Sequence, residues 1–507
     1  MSKKNLIFIL AGAGVTALAI ILRWNSFNIP LIRDEGEYAY SAWLLLKGIS
    51  PYLNSFLQKP PLIIYSYALP QLFGLVEPWA FRFLAYLFVL GATFLTGLIA
   101  QKEYGTRAGI YAMLLFAPMV LLPNLEQFAA NTEMFLLLPL MAVFYIYTLK
   151  KENVSFGYGF LAGFLGGITI LYKPTVVLIL IFLFTVWLVE IYKKNPSFYN
   201  SVRTSGIWFL GAIVSAVLSL GYFWYQDHLQ SLLNILQFDR YYALASGGGW
   251  TATFSYLSNF FTNWWFLWIL LGCFIYFRPR RWWFYIGLFL TAWISSFGSW
   301  YGHYYILIMP FWAIICAVSL NILSKWITGK YKISLRILDF TIPIIIFIVL
   351  ILPLKNWLIL SPEQFATRKF SGNPFVEAVN VAMSVRNLTE PTDKVLVAGS
   401  EPQILYYAQR QSASRFVIFY PLMLPTPLAE GYQAEIIAEI KKVLPKLIIL
   451  VNSPYSWLIS KASPTMVLDY LDTIIKTDYQ LVETVPGKSD PSAGYLIYKK
   501  ITAYGKR

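Results

Sequence analysis

Apolar runs of roughly bilayer-spanning length recur from the N-terminus to about residue 354, with only short polar connections between them. The pattern predicts spans at 6–22, 79–101, 107–123, 132–150, 156–171, 174–192, 205–226, 262–277, 282–300, 303–323 and 337–354, about eleven in all. The stretch from Leu62 to Val76 stands apart, because it is apolar but short and prolines break it at Pro60, Pro61 and Pro70. From about residue 360 the rhythm changes to short alternating segments. Strands are predicted at 394–398, 415–419, 447–451, 479–485 and 495–499, with helices at 403–409, 433–443 and 466–476. The expected fold is therefore a polytopic α-helical membrane protein with a C-terminal α/β domain. The boundary divides the chain into a membrane domain, 1–354, and a soluble domain, 355–507.

Composition agrees with that class. Apolar residues make up 58% of the 507 and charged residues 13%, against roughly 25% charged in soluble domains. The net charge of +15 does not point to nucleic acid, because the basic residues sit in clusters between apolar runs. The anionic face of a membrane is the partner such clusters imply. If Leu62–Val76 lies along the interface or re-enters, then Lys3/Lys4, Lys102/Arg107, Lys150/Lys151, Lys193/Lys194/Arg203, Arg278/Arg280/Arg281 and Lys325/Lys330/Lys332/Arg336 all share one side. The positive-inside rule makes that side cytoplasmic. The expectation is a multi-pass protein of the plasma (inner) membrane, with a cytoplasmic N-terminus and an extracytoplasmic C-terminal domain. Residues 6–22 run directly into Arg23 without a small-residue cleavage site, which reads as an uncleaved first span. Cys273 and Cys316 both fall in spans, which argues against a disulfide or a thiol metal site.

This topology gives one segment its interest. Acidic residues number 25 in the chain, yet Asp34, Glu35 and Glu37 fall within four positions directly after the first span, and Lys59-Pro60-Pro61 follows. Ionisable groups beside a bilayer are costly to hold and suggest a site; a solvated loop capping a helix is the plain alternative. The same topology puts Glu126, Glu133, Lys173 and His303 on the outer face with them. A carboxylate there can take a proton from an attacking hydroxyl, and a lysine can hold a phosphate and stabilise its charge as it leaves. Asp34 and Lys59 supply that pair. No nucleotide motif is visible: Lys173-Pro174 is not a Walker loop and Gly399 does not open a G-x-G-x-x-G turn. A donor carrying its own lipid anchor needs neither.

At these residues the chain resembles a known family. Asp34-Glu35-x-x-Tyr38-Ala39 followed by Lys59-Pro60-Pro61-Leu62 is similar to the first-loop signature of bacterial GT-C glycosyltransferases. These include the lipid A aminoarabinose transferase and the wider group related to protein O-mannosyltransferases. The resemblance extends through Phe81-Arg82-Phe83, Asn131-Thr132-Glu133, the run from Gly166 to Pro174, Gly302 to Pro310, and Val395 to Pro421 with Glu401-Pro402-Gln403 and Ser414-Arg415-Phe416. It implies transfer of a sugar from a polyprenyl-phosphate donor to a lipid, glycan or protein acceptor at the outer face of the membrane, with inversion at the anomeric carbon. It also implies a catalytic first connection (24–61), with Asp34 as the catalytic carboxylate, Glu35 beside it, and Glu133 as the second acidic position. Lys59 would contact the carrier phosphate, and Tyr38, Arg82, Lys173 and His303 would line the substrate. The aminoarabinose transferase has aspartate where this chain has Glu133, which leaves the acceptor open.

Other readings stay beside these. Arg82 and His303 also read as polar anchors at span ends, and Lys173 as a side chain snorkelling to the interface. The numerous tryptophans and tyrosines read mainly as an aromatic belt. A transporter or flippase of lipid-linked sugars would place its charges near the midplane, within internal repeats, and no repeat is evident. A polysaccharide polymerase would carry its main outer loop late in the chain. No cofactor is certain; a divalent cation remains open.

Overall fold

The computed structural model describes residues 3–120, 128–150, 154–246 and 248–501. Glu126, Lys151 and Gly247 lie outside the described residues, as does the end of the span expected at 107–123. The chain is a helical membrane protein with a small C-terminal sheet. Seven helical stretches are long and apolar enough to cross a bilayer: Leu6–Ser26, Pro78–Tyr104, Thr132–Lys150, Pro174–Lys194, Phe198–Tyr225, Gly249–Phe277 and Gly302–Tyr331. Shorter apolar helices occupy other expected spans, at Thr106–Met119, Phe156–Tyr172, Trp282–Ser295 and Leu335–Ile351. The expected span at 262–277 is the second half of a longer helix. Gly249–Phe277 departs from helical dihedrals at Trp264, near where the apolar run intensifies.

By its contacts the chain divides into two compact units that do not follow sequence order. One comprises Met1–Asn25, Arg82–Gly221 and Gly248–Ile359; the other comprises Ser26–Phe81, Tyr222–Gly247 and Leu360–Arg507. In the first, small residues set how closely helices approach. A Cβ at Gly163 would strike the Trp208 carbonyl oxygen, and one at Gly211 would strike that of Phe160. The backbones of Phe156–Tyr172 and Phe198–Tyr225 therefore touch, as small residues allow in membranes.

In the second unit, the connection after the first span is itself helical. Arg33–Leu46 forms a 14-residue helix with Asp34 and Glu35 in its first turn, where negative charge suits the helix dipole. The Leu62–Leu72 helix packs beside it, with Gln71 Nε2 donating to the Ala39 carbonyl at 3.1 Å. Its 11 residues reach about 16 Å, half of a hydrocarbon core of about 30 Å, so this segment is too short to cross.

The C-terminal segment carries a five-stranded sheet: β1 (Lys394–Ala398), β2 (Gln411–Ser412), β3 (Leu447–Asn452), β4 (Tyr479–Pro486) and β5 (Gly494–Lys500). The order is β2-β1-β3-β5-β4, parallel across β2-β1-β3 and antiparallel beyond. The strand expected at 415–419 is absent, and the edge strand beside β1 is the two-residue β2. The reason is local: Arg415 N donates to Glu439 Oε2, Phe416 N to Ser414 Oγ and Phe419 N to Ser400 Oγ. Side chains thus satisfy amides that a sheet ladder would need.

The close approach at Gly163 generates a stability prediction. Gly163→Val should lower the free energy of unfolding by about 1–3 kcal/mol, as overpacking typically does. A thermal melt in detergent would show it, whereas Gly157→Val, which meets nothing within 4 Å, should melt close to wild type.

Candidate active site

Helix periodicity places Asp34 and Glu37 on one face of Arg33–Leu46, three residues apart. Glu35 faces elsewhere. It is fully buried, and its Oε2 accepts the Ile32 amide at 3.3 Å, so it closes the N-terminus of its own helix. Asp34 is half-buried, while Tyr38 lies in the core with its ring edge-on to Tyr67 at 5.5 Å.

Lys59 reaches the same place from a constrained turn. The hydroxyls of Ser41 and Ser55 are 2.7 Å apart and tie the turn to the helix, and the buried Tyr52 hydroxyl donates to the Lys59 carbonyl at 2.8 Å. Between them Phe56 takes a left-handed φ of +41°, which is strained for a side chain of this size. Aromatic rings hold it there: Phe416 at 5.0 Å, Tyr432 at 5.2 Å and Phe238 at 5.7 Å.

The residue after Phe238 is Asp239, on the Leu229–Ser246 helix, and it completes the group. Burial holds the Glu37 carboxyl well above the usual carboxylate range; the charge of Asp34 and then that of Asp239 add to the shift, and Lys59 opposes it. Glu37 Oε1 is buried without a hydrogen-bond partner. Burial likewise pushes Asp239 up to about 6 against the pull of Lys59. Glu37 and Asp239 therefore both feel the Lys59 ammonium, and Asp34 acts on Glu37 beside them, in the unit that holds the first connection. Sequence reasoning missed Asp239. Its signal was faint: the sole acid of an apolar, amphipathic segment in an acid-poor chain.

The other unit brings together a second set. Glu133 stands in the first turn of Thr132–Lys150, and Lys173 closes Phe156–Tyr172 just before Pro174. The two side chains are buried and paired. Glu133 Oε2 also accepts from Thr132 Oγ1 at 3.0 Å, and the Lys173 ammonium lies over the Tyr304 ring. His303 stacks on Tyr301 at 5.8 Å and meets Tyr304 at 4.9 Å. Lys173 is thus bound to a carboxylate rather than snorkelling to an interface. Asn131, two residues before Glu133, buries both amide atoms without partners. Arg82 is completely buried in Pro78–Tyr104. Among the described residues, no group of three or more His, Cys, Asp or Glu side chains is arranged to hold a metal ion.

No protein-family model matches the chain, and no curated protein does. Solved structures do. ArnT from Cupriavidus metallidurans bound to undecaprenyl phosphate superposes with a TM-score of 0.59 at 13% identity, covering 99% of both chains. The apo form of that protein gives 0.58 at 14%, over 96% of this chain and 97% of that one. The Archaeoglobus fulgidus oligosaccharyltransferase AglB, in complex with an inhibitory peptide and a dolichol-phosphate, gives 0.56 at 12% over 90% of this chain and 70% of its own. The chain has the fold of the GT-C glycosyltransferases.

The Asp239 environment predicts a pH signature. The unfolded-state carboxyl titrates near 4, and the folded one near 6. The native state therefore holds an extra proton between those values, and stability falls as pH rises through that window. Asp239→Asn removes the cost of ionising a buried group. Its melting temperature should match wild type at about pH 4 and exceed it above about pH 6. A constant difference across the range would show that Asp239 does not titrate in this environment.

Proposed function

We propose that this chain is an integral-membrane glycosyltransferase. It moves a sugar from a polyprenyl-phosphate donor to a lipid, glycan or protein acceptor at the outer face of the plasma membrane, with inversion. The observation that carries this reading is the grouping of Glu37 and Asp239 with Lys59, beside Asp34 on the same helix face as Glu37, within a fold shared with transferases whose structures hold undecaprenyl phosphate and dolichol-phosphate. Transfer is assigned to the membrane domain, 1–354, with 24–61 as its catalytic connection; 355–507 is the extracytoplasmic domain.

The chemistry follows from the charges. An acceptor hydroxyl oxygen attacks the anomeric carbon from the face opposite the phosphate. The new C–O bond forms as the bond from that carbon to the phosphate oxygen breaks, and the electron pair leaves with the phosphate. The hydroxyl proton passes to Asp34, which is half-buried, and the Lys59 ammonium offsets the charge that grows on the leaving phosphate. The products are the glycosylated acceptor and the polyprenyl phosphate. Tyr52 and the strained Phe56 turn hold Lys59 in place before the donor arrives, so little reorganisation accompanies the reaction. Glu35 serves as the cap that fixes the first turn of the helix, and Glu133, held by Lys173, is the second acidic position. Arg82 and His303 are assigned to the substrate, as is Tyr38 through its packing.

Purified protein in detergent should transfer labelled sugar from extracted polyprenyl-phosphate sugars with no membrane gradient; a transporter would not. Asp34→Asn should lower turnover by about a hundred- to ten-thousandfold, the usual cost of losing a positioned base. Turnover within about threefold of wild type would remove Asp34 from the mechanism. Lys59→Ala should impair donor use by about ten- to a hundredfold, with the acceptor KM little changed, because it loses a charge-assisted contact of about 1.5–3 kcal/mol. A defect confined to acceptor KM would move Lys59 to the other half of the site.

The orientation has its own test. Single cysteines at Asn54 and Gln411 should react with an impermeant thiol reagent added to sealed cells. One at Arg280 should react only after the membrane is opened. Labelling of Arg280 in sealed cells would overturn the outer-face assignment.

A further inference from the structure

The C-terminal sheet has a topological switch point between β1 and β3. The connection leaving β1 leads to β2 on one side, while the chain leaving β3 runs toward β4 on the other, with β1 and β3 neighbours. In open α/β sheets, ligands bind in the crevice outside the carboxyl ends of the strands at such a point. Here the crevice is built from Gly399-Ser400-Glu401 after β1 and Ser453 to Ser456 after β3, joined by the Ser400 amide donating to Ser456 Oγ at 2.7 Å. Gly399, at φ +140°, has no room for a side chain, since a Cβ would sit 2.6 Å from Val451 Cγ2.

Arg33 occupies that crevice. Its Nε donates to the Ser400 carbonyl at 2.5 Å, and its Nη2 to Glu401 Oε1 at 2.5 Å and Asn373 Oδ1 at 3.2 Å. The rings of Phe375 and Tyr420 each lie 5.5 Å from the guanidinium carbon. Glu401 is fully buried, and its second oxygen accepts from Gln403 Nε2 at 2.6 Å. The same short stretch meets the helix a second time at Gly36, where a Cβ would fall 2.6 Å from the Gln403 backbone nitrogen. Every feature of a ligand site is present: a planar cation, a carboxylate for it, carbonyl and amide acceptors, and aromatic faces.

We infer that the C-terminal α/β domain binds Arg33 as an internal ligand in its switch-point crevice, and that this contact positions Asp34, the next residue. Glu401 and Arg33 are positioning residues, acting on the reaction through the first turn of Arg33–Leu46. The inference rests on the assignment of Asp34 as base for its effect on turnover, but not for its effect on the helix.

Three variants test it in the full-length protein in detergent. Glu401→Gln keeps the shape and removes the charge, Arg33→Met removes the fork, and Arg33→Lys keeps the charge without the fork. Hydrogen exchange in residues 33–46 should quicken by about tenfold or more in the first two, and less in Arg33→Lys, with β3 and β5 unchanged. Turnover per folded molecule should fall by about ten- to a hundredfold, while affinity for undecaprenyl phosphate stays within about twofold of wild type. A purely structural role would lower the melting temperature and leave turnover per folded molecule intact. That outcome overturns the inference, as does wild-type exchange in 33–46. If the first two variants fail to fold, Asn373→Ala and Tyr420→Leu each strip one contact and carry the same comparison. Should the wild-type protein transfer no sugar, the proposed function fails while the exchange measurement still decides the clamp: faster exchange confined to 33–46 supports it, and unchanged exchange ends it.

Discussion

A charge removed from water must find its opposite, and that constraint organises this molecule. Leaving one member of a buried pair without the other costs about 3–5 kcal/mol, a large share of the stability of any domain. The described buried pairs all join segments distant in sequence: Arg33 with Glu401, Lys173 with Glu133, and Arg281 with Glu190 at 2.7 Å and Glu103 at 3.6 Å. Arg281 takes a left-handed φ of +61° while its guanidinium lies against the rings of Tyr147 and Phe284, and the Tyr147 hydroxyl donates to Glu190.

The group around Lys59 differs in kind, because its carboxyls are held against ionisation. Burial holds the carboxyls of Glu37 and Asp239 toward their protonated forms although Lys59 pulls the other way, and Glu37 Oε1 is buried without a hydrogen-bond partner. Beside them Phe56 keeps a strained dihedral while packed among the rings of Phe238, Phe416 and Tyr432. A buried polar atom without a partner and a strained dihedral are both destabilising, and such features cluster at functional sites. The two devices share a scaffold. The C-terminal segment supplies Phe416 and Tyr432 to the turn before Lys59, and Glu401 and Ser400 to the residue before Asp34.

Much of this was legible along the chain. The apolar runs fixed where helices lie, because a bilayer-length run has no other way to satisfy its backbone. The change of period near residue 360 announced the α/β segment, and Asp34 to Glu37 stood out because acids are scarce. Two local readings met limits. The segment at 415–419 has strand-like residues, but its amides bond to the side chains of Ser400, Ser414 and Glu439. Arg33–Tyr40 read as a connection, yet Glu35 caps it into a helix that aligns Asp34 with Glu37.

The sequence by itself determined the long apolar helices and most of the C-terminal strands, since helix and strand periods and apolar length act between residues a few positions apart. Tertiary structure alone decided the partners. Nothing near Asp239 in the chain shows that it will share an environment with Lys59, 180 positions earlier, and nothing near Arg33 points to Glu401. A charge is attracted to whichever opposite charge the fold brings within a few ångströms. That choice belongs to how the segments pack, so the sequence shows the ionisable groups while only the folded chain shows which of them share an environment.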